Sequence, residues 1–213
     1  TVPAFDVTTQ NDLLVAFNNG PDGSGINGLT HPDYVTLDFK HVLSNVQLRL
    51  TLDEDDFFEP TEDGGKRQVG YAYVSIVGFN NISTTGTLTA SGSSVQWGSY
   101  GNGQMRLNYT DNPLQVTLER QDFFGEDGLL VLPQELAEAD VELFMQVVIY
   151  PLGHAGERIT KDFHIPLNSV MTEWEPNKKY LFVGVLTQEL VIDFSVTQVI
   201  DWMDDTLGGF IVN

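Results

Sequence analysis

WEPNKKYLFVGVLTQELVIDFSVTQVIDW, Trp174 to Trp202, decides how the chain reads. Two hydrophobic ribbons lie between two tryptophans with hardly a reactive side chain among them. Tyr180, Phe182 and Leu186 fall on one face of the first ribbon, and Leu190, Ile192, Phe194 and Val196 on one face of the second. Period-two spacing of large apolar residues is the pattern of strands that bury one face, as two core strands of a sandwich would.

The rest of the chain repeats this grammar. In TLDFKHVLSNVQLRLTL, Thr36 to Leu52, Leu37 and Phe39 occupy odd positions, whereas Val46, Leu48, Leu50 and Leu52 occupy even ones. A change of parity turns every later side chain to the other face, so a bulge or break is required between Lys40 and Asn45. The run DEDDFFEPTEDGGKR, Asp53 to Arg67, reads as an acidic loop, and QVGYAYVSIVGF after it as a strand rich in β-branched and aromatic residues. From Asn80 to Asn108 Gly, Ser, Thr and Asn dominate, but Leu88, Val95 and Trp97 recur inside as anchors, which suits hairpins rather than a linker. Further strands are expected at LQVTLER, GLLVLP, VELFMQVVIYPL, ERITKDFHIPL and FIVN. Helix is confined to a turn or two in ELAEADVELF and another between Leu167 and Thr172, neither with a long 3.6-residue stripe. The expected class is all-β, an antiparallel sandwich with little helix. NNGPDGSGINGLTHPD, Asn18 to Asp33, is the clearest boundary, which makes residues 1–33 a strand and linker and residues 34–213 the sandwich domain.

Composition narrows the function. The 213 residues carry 30 acidic and 10 basic side chains, a formal charge of −20, which repels nucleic acid and anionic lipid surfaces. With no cysteine there is no disulfide, thiol nucleophile or thiolate metal site. No apolar run reaches the ~18 residues of a membrane-spanning helix. Thr1-Val2-Pro3 resembles neither a start methionine nor a signal peptide, so the chain is expected to begin inside a longer precursor.

Catalytic signatures are sparse. His31, His41, His154 and His164 have no histidine neighbour at metal-ligand spacing; His41 and His164 fall in expected strands and suit hydrogen-bonded structural roles. GxSxG is absent, and GSGING and GSYGNG lack the lysine and the strand-to-helix context of a phosphate loop. Carboxylates are plentiful, but a glycosidase needs a particular pair across a cleft, which abundance does not supply. Asp53 to Asp56 reads as a solvated loop or, less simply, as a calcium loop without the EF-hand spacing. Trp97 and Tyr100 in VQWGSYGNG are candidates to stack on a sugar ring, or else anchor a hairpin in the core. No metal and no cofactor is expected.

Several segments together resemble the fimbrillin family of Bacteroidales, the subunits and relatives of type V pili. QNDLLVAF at Gln10 to Phe17 and VTLDFKHVLSNVQLRL at Val35 to Leu50 resemble the family's "DLL-A" strand and its "L-F-H-LS-V" partner. VLPQEL, Val131 to Leu136, resembles its internal "-PQ-" segment, and Trp174 to Trp202 its closing "W-PG-Y-Y" pair and terminal "V-W", with Asn177 where glycine is usual. The resemblance implies a Greek-key, transthyretin-like sandwich, here the C-terminal domain with the last strand of a missing N-terminal one. It implies a non-enzymatic stalk, tip or anchor subunit exported as a lipoprotein precursor to the cell surface and partnered with other pilus subunits by strand exchange. In the tail DDTLGGFIVN, Phe210, Ile211 and Val212 are candidate anchors of a donated strand, unless FIVN closes its own sheet. Asp205-Thr206-Leu207 resembles an O-glycosylation site of this bacterial group. The rival reading is a surface glycan-binding module.

Overall fold

The computed structural model describes residues 1–17, 38–91, 94–137, 140–152, 157–187 and 192–202. The chain opens with β1 (Val2–Asp6), one turn of 3-10 helix at Val7–Thr9, and β2 (Leu14–Phe17). Next come β3 (Asp38–His41), β4 (Ser44–Leu52), the single-turn helix α1 (Glu54–Phe57), β5 (Phe58–Pro60) and β6 (Lys66–Gln68). The two longest strands follow, β7 (Gly70–Ser91) and β8 (Ser94–Asn108), then β9 (Leu114–Val116), β10 (Gln121–Asp122), β11 (Leu129–Val131) and β12 (Gln134–Glu135). The last five are β13 (Glu142–Pro151), β14 (Ile159–Pro166), β15 (Glu173–Trp174), β16 (Lys178–Leu186) and β17 (Ile192–Asp201), with a second 3-10 turn at Leu167–Ser169.

These strands build two principal sheets. One has the order β1-β7-β13-β14, with β8 and β9 on the other side of β7; the second has the order β10-β4-β16-β17, with β11 also on β4. Alternation decides which faces meet. Val46, Leu48, Leu50 and Leu52 of β4 and Tyr180, Phe182 and Leu186 of β16 point inward, against Ala72, Val74, Val77 and Phe79 of β7 and Met145, Val147 and Ile149 of β13. One continuous apolar layer therefore closes two one-faced sheets, the solution such patterning demands.

The parity change appears where it was expected: β3 ends at His41, Val42 and Leu43 break the run, and β4 begins at Ser44. β3 pairs with β2, while β4 joins the core. Other expectations need correction. The hairpins foreseen between Asn80 and Asn108 are one continuation of β7 folding back once into β8, with register shifts at Phe79/Ile82, Ser83/Thr85 and Thr85/Thr87. The turn residues there shape bulges, Asn81 taking the left-handed φ of 56°. ELAEADVELF forms no helix among its described residues; Gln134 and Glu135 pair with Trp174 and Glu173, and Glu142 already belongs to β13. The acidic loop contains α1, because the Asp53 carboxylate accepts from the amides of Asp55 and Asp56 at 3.0 and 3.2 Å. The sandwich is also not antiparallel throughout, since β16 runs parallel to β4 from Lys179↔Asn45 to Leu186↔Leu52.

The first ten residues meet the sandwich directly. β1 lies antiparallel on β7 through Phe5↔Gly86 and Asp6↔Thr85. The Gln10 side chain then acts as a rung of main chain: Nε2 donates to Leu130 O at 3.0 Å and Oε1 accepts from Leu130 N at 2.8 Å. One side chain thus ties the segment after β1 to β11 of the opposite sheet.

Candidate functional site

Trp97 and Tyr100 lie together on β8 over Gly86 of β7, where a Cβ would stand 3.2 Å from the indole, 3.4 Å from the phenol ring and 3.2 Å from Leu132. Glycine is what lets both rings rest on the β7 backbone. The half-buried Trp97 packs its ring 5.8 Å from that of Phe5 and donates its Nε1–H to Val42 O at 2.7 Å. The Tyr100 hydroxyl donates to Pro133 O at 2.7 Å, while 42% of the residue remains exposed. Burial pushes the Tyr100 phenol up. Both polar atoms are thus committed to the protein, and what these residues present outward is the exposed part of the Tyr100 ring and the accessible part of the half-buried Trp97.

Beside Pro133, Gln134 explains why an amide stands at this position. Its Oε1 accepts from Ser83 N at 2.9 Å and its Nε2 donates to Leu132 O at 3.1 Å. Ser83 sits where β7 loses register with β8, so the side chain supplies a partner to a main-chain donor that the bulge would otherwise bury unpaired.

Both histidines in strands are hydrogen-bonded. His41 donates from Nδ1 to Asp12 Oδ2 at 2.7 Å and stacks on Trp202; His164 meets Glu142 Oε2 at 2.8 Å beside Phe144. The acidic run is likewise engaged: Lys66 Nζ reaches Glu54 at 3.0 Å and Asp55 at 3.6 Å. Among the described residues no three His, Asp or Glu side chains converge as a metal-binding group. No helix among them is long and apolar enough to cross a membrane.

The outer strands are the other functional candidates. Among the described residues β14 pairs with no strand but β13, and β17 with none but β16, so these two are the outer strands of their sheets there. Val199 and Ile200, 50% and 45% exposed, give the β17 edge an apolar character. Phe210, Ile211 and Val212, the candidate strand donors, lie outside the described residues, as does Asp205-Thr206-Leu207.

Fold and site define a β-sandwich in which Trp97, Tyr100 and Gln134 use their polar atoms to hold strands together. The chain belongs to the fimbrillin-like family, whose profile matches residues 4–202. Its Asn177, in the place where that family is expected to carry glycine, takes a left-handed φ of 60°. Solved structures similar to it include a provisionally named cell adhesion protein from Bacteroides uniformis, at 18% identity and a TM-score of 0.35 over 78% of this chain and 53% of that one. A second such protein, from Parabacteroides distasonis, is 12% identical with a TM-score of 0.44, covering 84% of this chain and 56% of its own. A fimbrial protein from Bacteroides vulgatus is 12% identical with a TM-score of 0.41, covering 78% and 56%. The chain thus spans a little over half the length of these structures. No curated protein matches it.

Proposed function

We propose that the chain is a non-enzymatic structural or accessory subunit of a type V pilus, displayed at the cell surface after export as a lipoprotein precursor and acting in adhesion. Membership of the fimbrillin-like family is the observation that carries this reading. Assembly proceeds by strand donation: an extended segment of one subunit adds to the free edge of another, gaining main-chain hydrogen bonds along its length and side-chain anchors at alternate positions. Phe210, Ile211 and Val212 serve as the donated anchors, with Gly208-Gly209 as pivot. The positions of β14 and β17 as outer strands among the described residues support the acceptor half of this scheme. The division into an entering segment, residues 1–33, and a sandwich domain, residues 34–213, belongs to the same proposal, with β1 of the entering segment docked on β7 of the sandwich.

Deleting residues 204–213 in the native cell tests the tail. The full chain is expected in sheared fibre preparations and the truncated chain only in the cell-bound or free monomer fraction. Equal incorporation of both would remove the tail from assembly.

A further inference from the structure

A cleft of about 610 Å³ lies on the outer face of the first sheet, away from Trp97 and Tyr100. Its floor follows from strand alternation: Ala72, Val74, Val147 and Ile149 enter the core, so their neighbours Tyr71, Tyr73, Val148 and Tyr150 face outward. Tyr150 pairs with Tyr71 across the strands, and its ring meets that of Tyr73 edge-on at 5.8 Å. Gln146 stiffens the floor, accepting from the Ser75 hydroxyl at 2.8 Å and donating to Asp162 at 3.0 Å. One wall is the turn between β8 and β9, pinned by Tyr109 N to Ser75 O at 2.7 Å and Asn112 N to Tyr109 O at 2.9 Å; Arg158 stands at the other side.

The polar groups of this cleft differ from those around Trp97. The hydroxyls of Tyr71, Tyr73 and Tyr150, the Asn112 amide and the Arg158 guanidinium have no side-chain hydrogen bond or ion pair to a described residue. Aromatic faces framed by unspent hydroxyl, amide and guanidinium groups, in a preformed cleft within the ~300–1,000 Å³ of small-ligand sites, match a ligand with an apolar C–H face and a rim of hydroxyls. The formal charge of −20 disfavours an anionic one.

We infer that the Tyr71–Tyr73–Tyr150 cleft binds an uncharged oligosaccharide, one sugar ring stacking on the tyrosines while Asn112 and Arg158 donate to its hydroxyls. This site is independent of the assembly role proposed above, because it uses the face of the sheet and not its edges.

The test is saturation-transfer NMR and calorimetry on the full chain with lactose, N-acetyllactosamine, maltotriose, mannotriose and chitotriose, and with sialyllactose and trigalacturonate as charged comparators. At least one neutral sugar should bind, about tenfold or more weakly with Tyr150→Ala and several-fold more weakly with Asn112→Ala or Arg158→Gln, with unchanged thermal unfolding for the two surface-loop variants. Tyr100→Ala, placed on the order of 40 Å away along the strands, should bind as the parent does. Binding of none of the neutral sugars, binding of only the charged ones, or binding indifferent to Tyr150, Asn112 and Arg158 together would overturn the inference.

Discussion

The rings of His41 and Trp202 lie 3.8 Å apart and within 2° of parallel. His41 ends β3 and Trp202 follows β17, so the stack clamps the beginning of the sandwich to the last described residue of the chain. Asp12 holds the imidazole from one side at 2.7 Å, and Lys179 Nζ lies 5.4 Å from the centre of the Trp202 ring.

His41→Ala removes a stacked pair, a part-buried hydrogen bond and a 6% exposed side chain together. Urea unfolding should show a loss of about 2–3 kcal/mol, and hydrogen exchange should speed up selectively at residues 199–202. A variant with parental stability and exchange would mean the stack carries no load.

Asn177 sits between the same elements, its amide donating to Leu43 O at 2.9 Å and its carbonyl accepting from Trp202 N at 2.8 Å. At a φ of 60° a residue with Cβ is strained unless its side chain tolerates the left-handed region. Asn177→Ala should therefore cost about 1 kcal/mol and Asn177→Gly only a few tenths, read from unfolding midpoints. Equal effects would show that the side chain, not the backbone angle, matters there.

Gln134→Leu should cost about 1–3 kcal/mol, because Ser83 N and Leu132 O lose their partner in a buried setting. Gln47 also donates to a carbonyl, that of Glu126 at 3.0 Å, but at an exposed site, so Gln47→Leu should stay within about 0.5 kcal/mol. Similar losses at both positions would refute the role given to the β7 bulge.

The hydrogen bond from His164 holds the Glu142 carboxyl below its usual range, with burial opposing and Asn80 adding to the effect. A carboxylate lowered in the folded state stabilises fully above its unfolded value of ~4.3, and that stability is lost as pH falls through the folded value. Glu142→Gln should thus narrow the gap in stability between neutral pH and pH ~3, measured by thermal unfolding across that window. An unaltered acid limb would contradict the assignment.

Strand identity was legible wherever one face is buried, as in Val46, Leu48, Leu50 and Leu52, and so was the break before Ser44. Partner choice was not, because nothing local in Lys178–Leu186 states that β4 will lie parallel beside it. Asn80, Asn81 and Gly86 look like turn residues in sequence, and only the long-range partners Gln134, Trp97 and Tyr100 show them to be bulge and contact positions within one strand. The tyrosine cleft had a local signal, Tyr71-Ala72-Tyr73-Val74, aromatic on one face and aliphatic on the other. Its meaning depends on Tyr150, which lies far along the chain and reaches Tyr71 only through the register of β13.

The most direct measurement of the central claim is a denaturing gel of material sheared from the native cell surface, run unboiled and boiled and probed for this chain. Donated strands resist detergent kinetically, so strand-linked subunits should give a ladder that collapses to one band on boiling. A single monomer band in both lanes would contradict assembly by strand donation for this protein.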